Sequence, residues 1–178
     1  MDRSNSAAGF SLIELLIILI LLSIVASIAI PGFTNLIQSN RVQSATDELY
    51  GVLQYARNEA VVRNRVVTLE NISGQDGRWD QQIRIYVSGD QGTNRAYNAS
   101  VDEELRVQDG FNQAALSAIG DAGAQKWLSF RPNGTLDLTG NPVIVLCQDE
   151  NTANARSIAL QPSGRITQPT TTPTDCTP

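Results

Sequence analysis

The chain has 178 residues, a net charge of −5 and no histidine. The missing histidine excludes His-based general acid–base chemistry, Ser-His-Asp and Cys-His nucleophile systems, and histidine metal sites. With Lys126 as the single lysine and acids outnumbering bases 18 to 13, the sequence also lacks the basic stripe of a nucleic-acid binder. It shows no phosphate-cradling loop and no paired metal-ligand motif. No catalytic residue, metal or cofactor is therefore assigned.

Met1–Gly9 is short and hydrophilic, and Asp2 and Arg3 cancel in charge. An apolar run then extends from Phe10 to Ile30, broken near its start by one carboxylate, Glu14. As a helix that run spans about 30 Å, enough for the hydrocarbon core of a bilayer. An ionised carboxylate at the bilayer centre costs roughly 2.5–3.5 kcal/mol on the lenient insertion scale, so Glu14 calls for a partner. Cleavage between Gly9 and Phe10 would create one: the new amine of Phe10, on a neighbouring copy, is a natural counter-ion for Glu14. Two plainer readings compete. A secretory signal peptide would be cut after the apolar region, at Ser27-Ile28-Ala29, but Glu14 sits where such a peptide has only apolar residues. A simple membrane anchor fits the length yet leaves Glu14 and the Gly9-Phe10 junction unexplained.

Gly9-Phe10-Ser11-Leu12-Ile13-Glu14 followed by an apolar helix resembles the class III signal of type IV pilins and type II secretion pseudopilins. The resemblance implies that a prepilin peptidase cuts after Gly9 and methylates the Phe10 amine, and that Glu14 guides subunit docking. It also implies a single-pass protein of the bacterial inner membrane with its head in the periplasm. That protein would later enter an extracellular pilus or a periplasmic pseudopilus.

Past Ile30, Pro31 and Gly32 are expected to interrupt and kink the helix, because proline removes a backbone donor and crowds the preceding turn. Helical patterning then resumes. Val42, Ala45, Leu49, Val52, Leu53, Ala56 and Ala60 recur at spacings of three and four, with polar residues between them. This second half is amphipathic, with one face for a head and one for water. The segment Leu53–Val61, running into Arg63-Asn64-Arg65-Val66, is similar to the end of the spine helix in the GspH/FimU branch of minor pilins and pseudopilins.

Alternation then indicates strands over Val66–Ile72, Gln82–Val87, Glu104–Val107, Lys126–Phe130, Val143–Cys147 and Ser157–Leu160. Turns are expected at 74–77, 89–92 and 139–142. Leu128–Leu136 and Ile158–Ile166 each place Pro-x-Gly between apolar alternations, a pair of tight hairpins that also looks like that branch. Residues 94–123, polar and rich in Ala, Gly and Asp, read as a surface excursion. Cys147 and Cys176, in an exported chain, read as one disulfide that ties down a Thr/Pro tail with no apolar side chain of its own.

The expected fold is α+β: a long N-terminal spine helix, hydrophobic in its first half, packed against a small antiparallel β-sheet head. Residues 1–9 form the leader, 10–30 the membrane or filament-core helix, 31–65 its amphipathic half and 66–178 the head. Two acidic groups, Asp76, Asp80 and Asp90 or Asp102-Glu103-Glu104, lack calcium-loop spacing and read as solvated turns. Arg63 and Arg65 read as a solvated helix end, and Trp79 and Trp127 as core or hairpin residues. The resemblance implies a non-catalytic minor pilin of a type IV pilus. Its partners would be other major and minor pilins, the prepilin peptidase, the inner-membrane assembly platform and, before assembly, the membrane. A minor pseudopilin of a type II secretion system is the alternative, with C-terminal disulfides more typical of the pilins. A DNA-binding competence subunit is the alternative of another class, although the acidity argues against nucleic acid as a direct ligand.

Overall fold

The computed structural model describes residues 11–177 except 91, 93–94, 112–114 and 139, and only the backbone of Pro31. One helix, α1, runs from Leu12 to Arg63. It starts at Ser11, whose carbonyl accepts from the N–H groups of Glu14 and Leu15 at 3.1 and 3.2 Å. It continues through Pro31 and Gly32 as one helix, so the expected interruption does not occur. The reason is local: proline deletes one bond of the ladder, while the residues on either side keep theirs.

Two compact units divide at Ile37/Gln38. In the first, the described residues form a single helical segment whose large apolar side chains, from Leu12 through Phe33, Leu36 and Ile37, are all exposed. Its hydroxyls turn back onto the helix. Ser23 and Ser27 donate to the carbonyls of Ile20 and Ile24 at 2.7 Å, and Thr34 donates to that of Ile30 at 3.1 Å. In lipid such internal bonds spare a polar group the cost of going unpaired.

In the second unit the helix turns one face inward. All seven residues of the expected stripe, Val42 to Ala60, are buried. The helix ends where Asn64 takes a left-handed conformation (φ 51°). Arg65 N–H then reaches the Ala60 carbonyl at 3.2 Å and Asn64 N–H that of Val61 at 3.3 Å. These two bonds form a Schellman cap, with asparagine in the place usually held by glycine.

Two antiparallel sheets follow. Strands β1 (Val67–Asn71), β2 (Ile83–Val87), β3 (Glu103–Gln108) and β5 (Trp127–Phe130) form the first, in the order β3-β2-β1-β5. Strands β4 (Leu116–Gly120), β6 (Val143–Gln148), β7 (Asn151–Leu160) and β8 (Ile166–Thr167) form the second, in the order β4-β6-β7-β8. An isolated bridge joins Arg78, in the connection between β1 and β2, to Ile119 of β4 in the second sheet. Alternate residues, such as Leu69, Ile85 and Leu128 in the first sheet and Leu146 and Ile158 in the second, join the helix stripe in one hydrophobic core.

Residues 94–123 are not a surface excursion. Their described part supplies β3 and β4, with Leu116 and Ala118 buried. It also covers the outer face of the first sheet, where Thr68, Glu70, Tyr86 and Ser129 are buried instead of solvated. Tyr97 packs edge-on against Tyr86, with ring centroids 5.3 Å apart, and the Arg84 guanidinium lies 4.4 Å from the Tyr97 centroid. The Tyr86 hydroxyl donates to the Arg95 carbonyl. Burial, aided by the nearby charges of Glu70 and Asp102, raises the Tyr86 phenol well above its ordinary range, so it stays a donor.

Candidate functional site

Three places in the chain are candidates for a functional role, two of them expected from the sequence. At the first, Gly9 and Phe10 lie outside the described residues. Glu14 is exposed in the first turn of α1, three residues after Ser11. That is the spacing of a capping box, and the positive end of the helix dipole favours an acid there. The helix therefore tolerates the charge of Glu14, and the exposed position leaves the carboxylate open to a partner.

The second is the tail. Cys147, fully buried on β6, is bonded to Cys176, closing a span of 29 residues. The two sulfurs sit with Val143, Val145 and Ala155 in a small apolar cluster separate from the main core. The strand period puts Val145 and Cys147 on the face opposite Ile144 and Leu146. Pro169 and residues 171–175 arch over that face, leaving a cavity of about 280 Å³. Gln168 adds one exposed hydrogen bond to Asp47, at 3.1 Å.

The third, which the sequence did not single out, is the meeting of the two Pro-x-Gly turns. Gly134 and Gly164 close matching turns through N–H bonds of 2.8 Å to the carbonyls of Arg131 and Gln161. The turn tips then pack on one another. Leu136 N–H donates to the Pro162 carbonyl at 3.0 Å, and a Cβ at Gly164 would lie 1.8 Å from the Gly134 oxygen. Arg57 of α1 donates through Nε to that same oxygen at 3.0 Å. One side chain of the spine thus bonds to the first turn and lies against Gly164 of the second.

The remaining candidates resolve into structural roles. Arg63 pairs with Glu59 at 2.6 Å and Glu103 at 2.8 Å, and Arg65 donates to the Ser88 carbonyl at 2.9 Å. Asp80 is buried and takes a forked pair of bonds from Arg78, at 2.7 and 2.6 Å. Asp102 accepts from the backbone of Gly89 and Asn98, and Glu104 pairs with Arg84. Among the described residues no three such acids converge on a point. Trp79 is wholly buried, with Nε1 on the Ala124 carbonyl at 2.5 Å, whereas Trp127 is half-buried on β5 beneath the Lys126 ammonium.

Known proteins match both ends of this arrangement. A sequence profile of the family described as type II transport protein GspH matches residues 45–164, and the prokaryotic N-terminal methylation motif matches residues 4–30. Two crystal structures of the type IV minor pilin FimU of Pseudomonas aeruginosa superpose on the chain. The structure in space group P21 is 32% identical with a TM-score of 0.66, covering 77% of this chain and 96% of FimU. The structure in P65 is 30% identical with a TM-score of 0.61, covering 75% and 98%. No curated protein sequence matches.

Proposed function

We propose, given that this chain belongs to the GspH family of pilin-like subunits, that it is a minor pilin of a type IV pilus. The family is one of structural subunits and not of enzymes. Its members are processed by a prepilin peptidase and assemble with other pilins, and the apolar helix suits residence in the inner membrane before assembly. The finer reading rests on one observation, the likeness to the type IV minor pilin FimU along nearly the whole length of the FimU chain. The description of the matching family favours a second reading, a type II secretion minor pseudopilin. Shearing separates the two: a pilin is recovered with surface fibres and its deletion reduces piliation. A deletion that abolishes protein export while piliation stays normal would sink the pilus reading.

The work of such a subunit is mechanical. Leaving lipid for a helical bundle exchanges one apolar environment for another, so association relies on packing and polar contacts, not on hydrophobic drive. In this reading Gly9 is the last leader residue, Phe10 the methylated N-terminus, Glu14 the register carboxylate and Pro31-Gly32 a point of bending. Intact-mass spectrometry of protein from the native membrane is expected to show loss of Met1–Gly9 and gain of one methyl group. A chain beginning after Ala29 would instead indicate signal-peptide cleavage and remove the filament role.

A further inference from the structure

Asn133-Gly134 is the one Asn-Gly step in the sequence, and it lies in the first of the two turn tips. Such a step is chemically weak, because glycine has no Cβ to hinder its backbone nitrogen. That nitrogen can attack the side-chain carbonyl carbon of Asn133, Cγ, and close a five-membered ring. In the fold both reacting groups are tied down. Gly134 is buried, and its N–H donates to the Arg131 carbonyl at 2.8 Å. Asn133 Oδ1 accepts from the Thr135 N–H at 3.1 Å and from the Thr135 hydroxyl at 2.7 Å. The spine and the second turn brace this arrangement. Arg57 Nε holds the Gly134 oxygen at 3.0 Å, Leu136 N–H holds the Pro162 carbonyl at 3.0 Å, and no side chain fits on Gly164 between the tips. Asn133 itself is exposed, so water and base reach it whenever these bonds open.

We propose that Asn133 is a self-modifying site, a deamidation step that the contact between the two tips holds shut. Once the tips part, the Gly134 amide gives its proton to base and its nitrogen bonds to Cγ of Asn133. The Cγ–Nδ2 bond breaks, ammonia leaves and a cyclic imide remains. Water then adds to either ring carbonyl and opens the ring to aspartate or isoaspartate. The net change is one water taken up and one ammonia released. The new carboxylate lies two residues from Arg131 and next to the residue that Arg57 bonds, a cationic setting that favours the charged product. In the isoaspartate the main chain is one methylene longer, so the Gly134 oxygen is carried away from Arg57 and the tips stay apart. The modification is one-way, and it records how long the tips have been open.

The test is peptide mapping by mass spectrometry on the detergent-solubilised full chain in mildly alkaline buffer, since each event adds one mass unit at Asn133. The reference is the same chain unfolded in urea with its disulfide reduced. Folded wild-type protein is expected to react at least about tenfold more slowly than that reference, because reaction proceeds only through local opening. Thr135→Ala removes one of the bonds to Oδ1 and is expected to react about threefold faster than wild type. Gly164→Ala forces the tips apart and is expected to approach the rate of the unfolded chain, while amides of β1 and β6 keep their hydrogen-exchange protection. Equal rates in folded and unfolded wild-type protein overturn the proposal. So does a Gly164→Ala chain that keeps its strand protection and deamidates at the wild-type rate. If Gly164→Ala unfolds outright, Thr135→Ala decides, and a wild-type rate in that variant overturns the proposal equally.

Discussion

Asp80 keeps its charge inside the head because donors reach it from three directions. Burial alone would raise its carboxyl, but the Arg78 fork, the Gln81 amide and the Ala118 N–H hold it below the ordinary aspartate value. A carboxyl with a lowered folded-state value contributes its full stability above the unfolded value, about 3.9, and loses it as the pH falls through the folded one. The unfolding midpoint of the wild-type chain should therefore fall in that acid window, and Asp80→Asn should flatten the dependence while lowering stability near neutrality. Arg78→Met leaves the buried carboxylate with its amide donors only, and is expected to cost about 2–3 kcal/mol in urea unfolding. An unchanged acid profile in Asp80→Asn would show that another group carries the pH dependence. Nothing in the spacing of Arg78 and Asp80 revealed this pair, since residues two apart are routinely both exposed in a turn. Their pairing depends on β4 arriving from nearly 40 residues away.

At the scale of elements, the two Pro-x-Gly turns make the sharpest test. Gly164 has φ 79°, and a Cβ there would lie 1.8 Å from the Gly134 oxygen and 3.1 Å from Arg57 Nε. Gly164→Ala is expected to cost at least ~2 kcal/mol, combining left-handed strain with forced separation of the two tips. Gly51→Ala is the control of opposite sign. It sits exposed in the helix interior with open space around it and should gain about 0.5–1 kcal/mol. Thermal denaturation that ranks the two variants the other way would contradict the packing described. The turns were legible in sequence because proline and glycine state their own dihedrals. The contact between them was not, because Arg57 reads as one more polar residue on the solvent side of the stripe. For the same reason β4 was missed: in Leu116–Gly120 the buried alternates are Leu, Ala and Gly, which give little strand signal. The Asp149-Glu150 turn lacks the glycine that marks a two-residue hairpin, so β7 was expected to begin at Ser157 instead of Asn151. The helix stripe, by contrast, was complete in the sequence, because a 3.6-residue period needs no distant partner to be seen.

For the whole molecule, the disulfide and Glu14 act at opposite ends of the chain and can be tested separately. The tail beyond Thr167 contributes almost nothing apolar, so the Cys147–Cys176 bond does most of the work of keeping it on the second sheet. Cys176→Ser is expected to lower stability by about 2–4 kcal/mol on the loop-entropy account, with tail peptides newly open to protease. Glu14 is expected to have no such effect on folding. It is an exposed carboxylate in the first turn of a helix that is otherwise apolar through Ile30, remote in sequence from every residue of the head core. Glu14→Ala removes a group that is costly in lipid, so membrane insertion and the melting of the head should be unchanged. Incorporation is a different matter. An incoming subunit whose Glu14 pairs with the Phe10 amine of its neighbour gains register in a medium where apolar packing hardly distinguishes one offset from the next. Loss of the carboxylate leaves that amine uncompensated. The amount of protein in sheared fibres, relative to its membrane pool, should therefore fall at least tenfold in Glu14→Ala. Glu14→Asp should fall in between, keeping the charge on a shorter arm. Wild-type incorporation by Glu14→Ala, with the pool unchanged, would falsify the register role and restrict Glu14 to recognition by the peptidase.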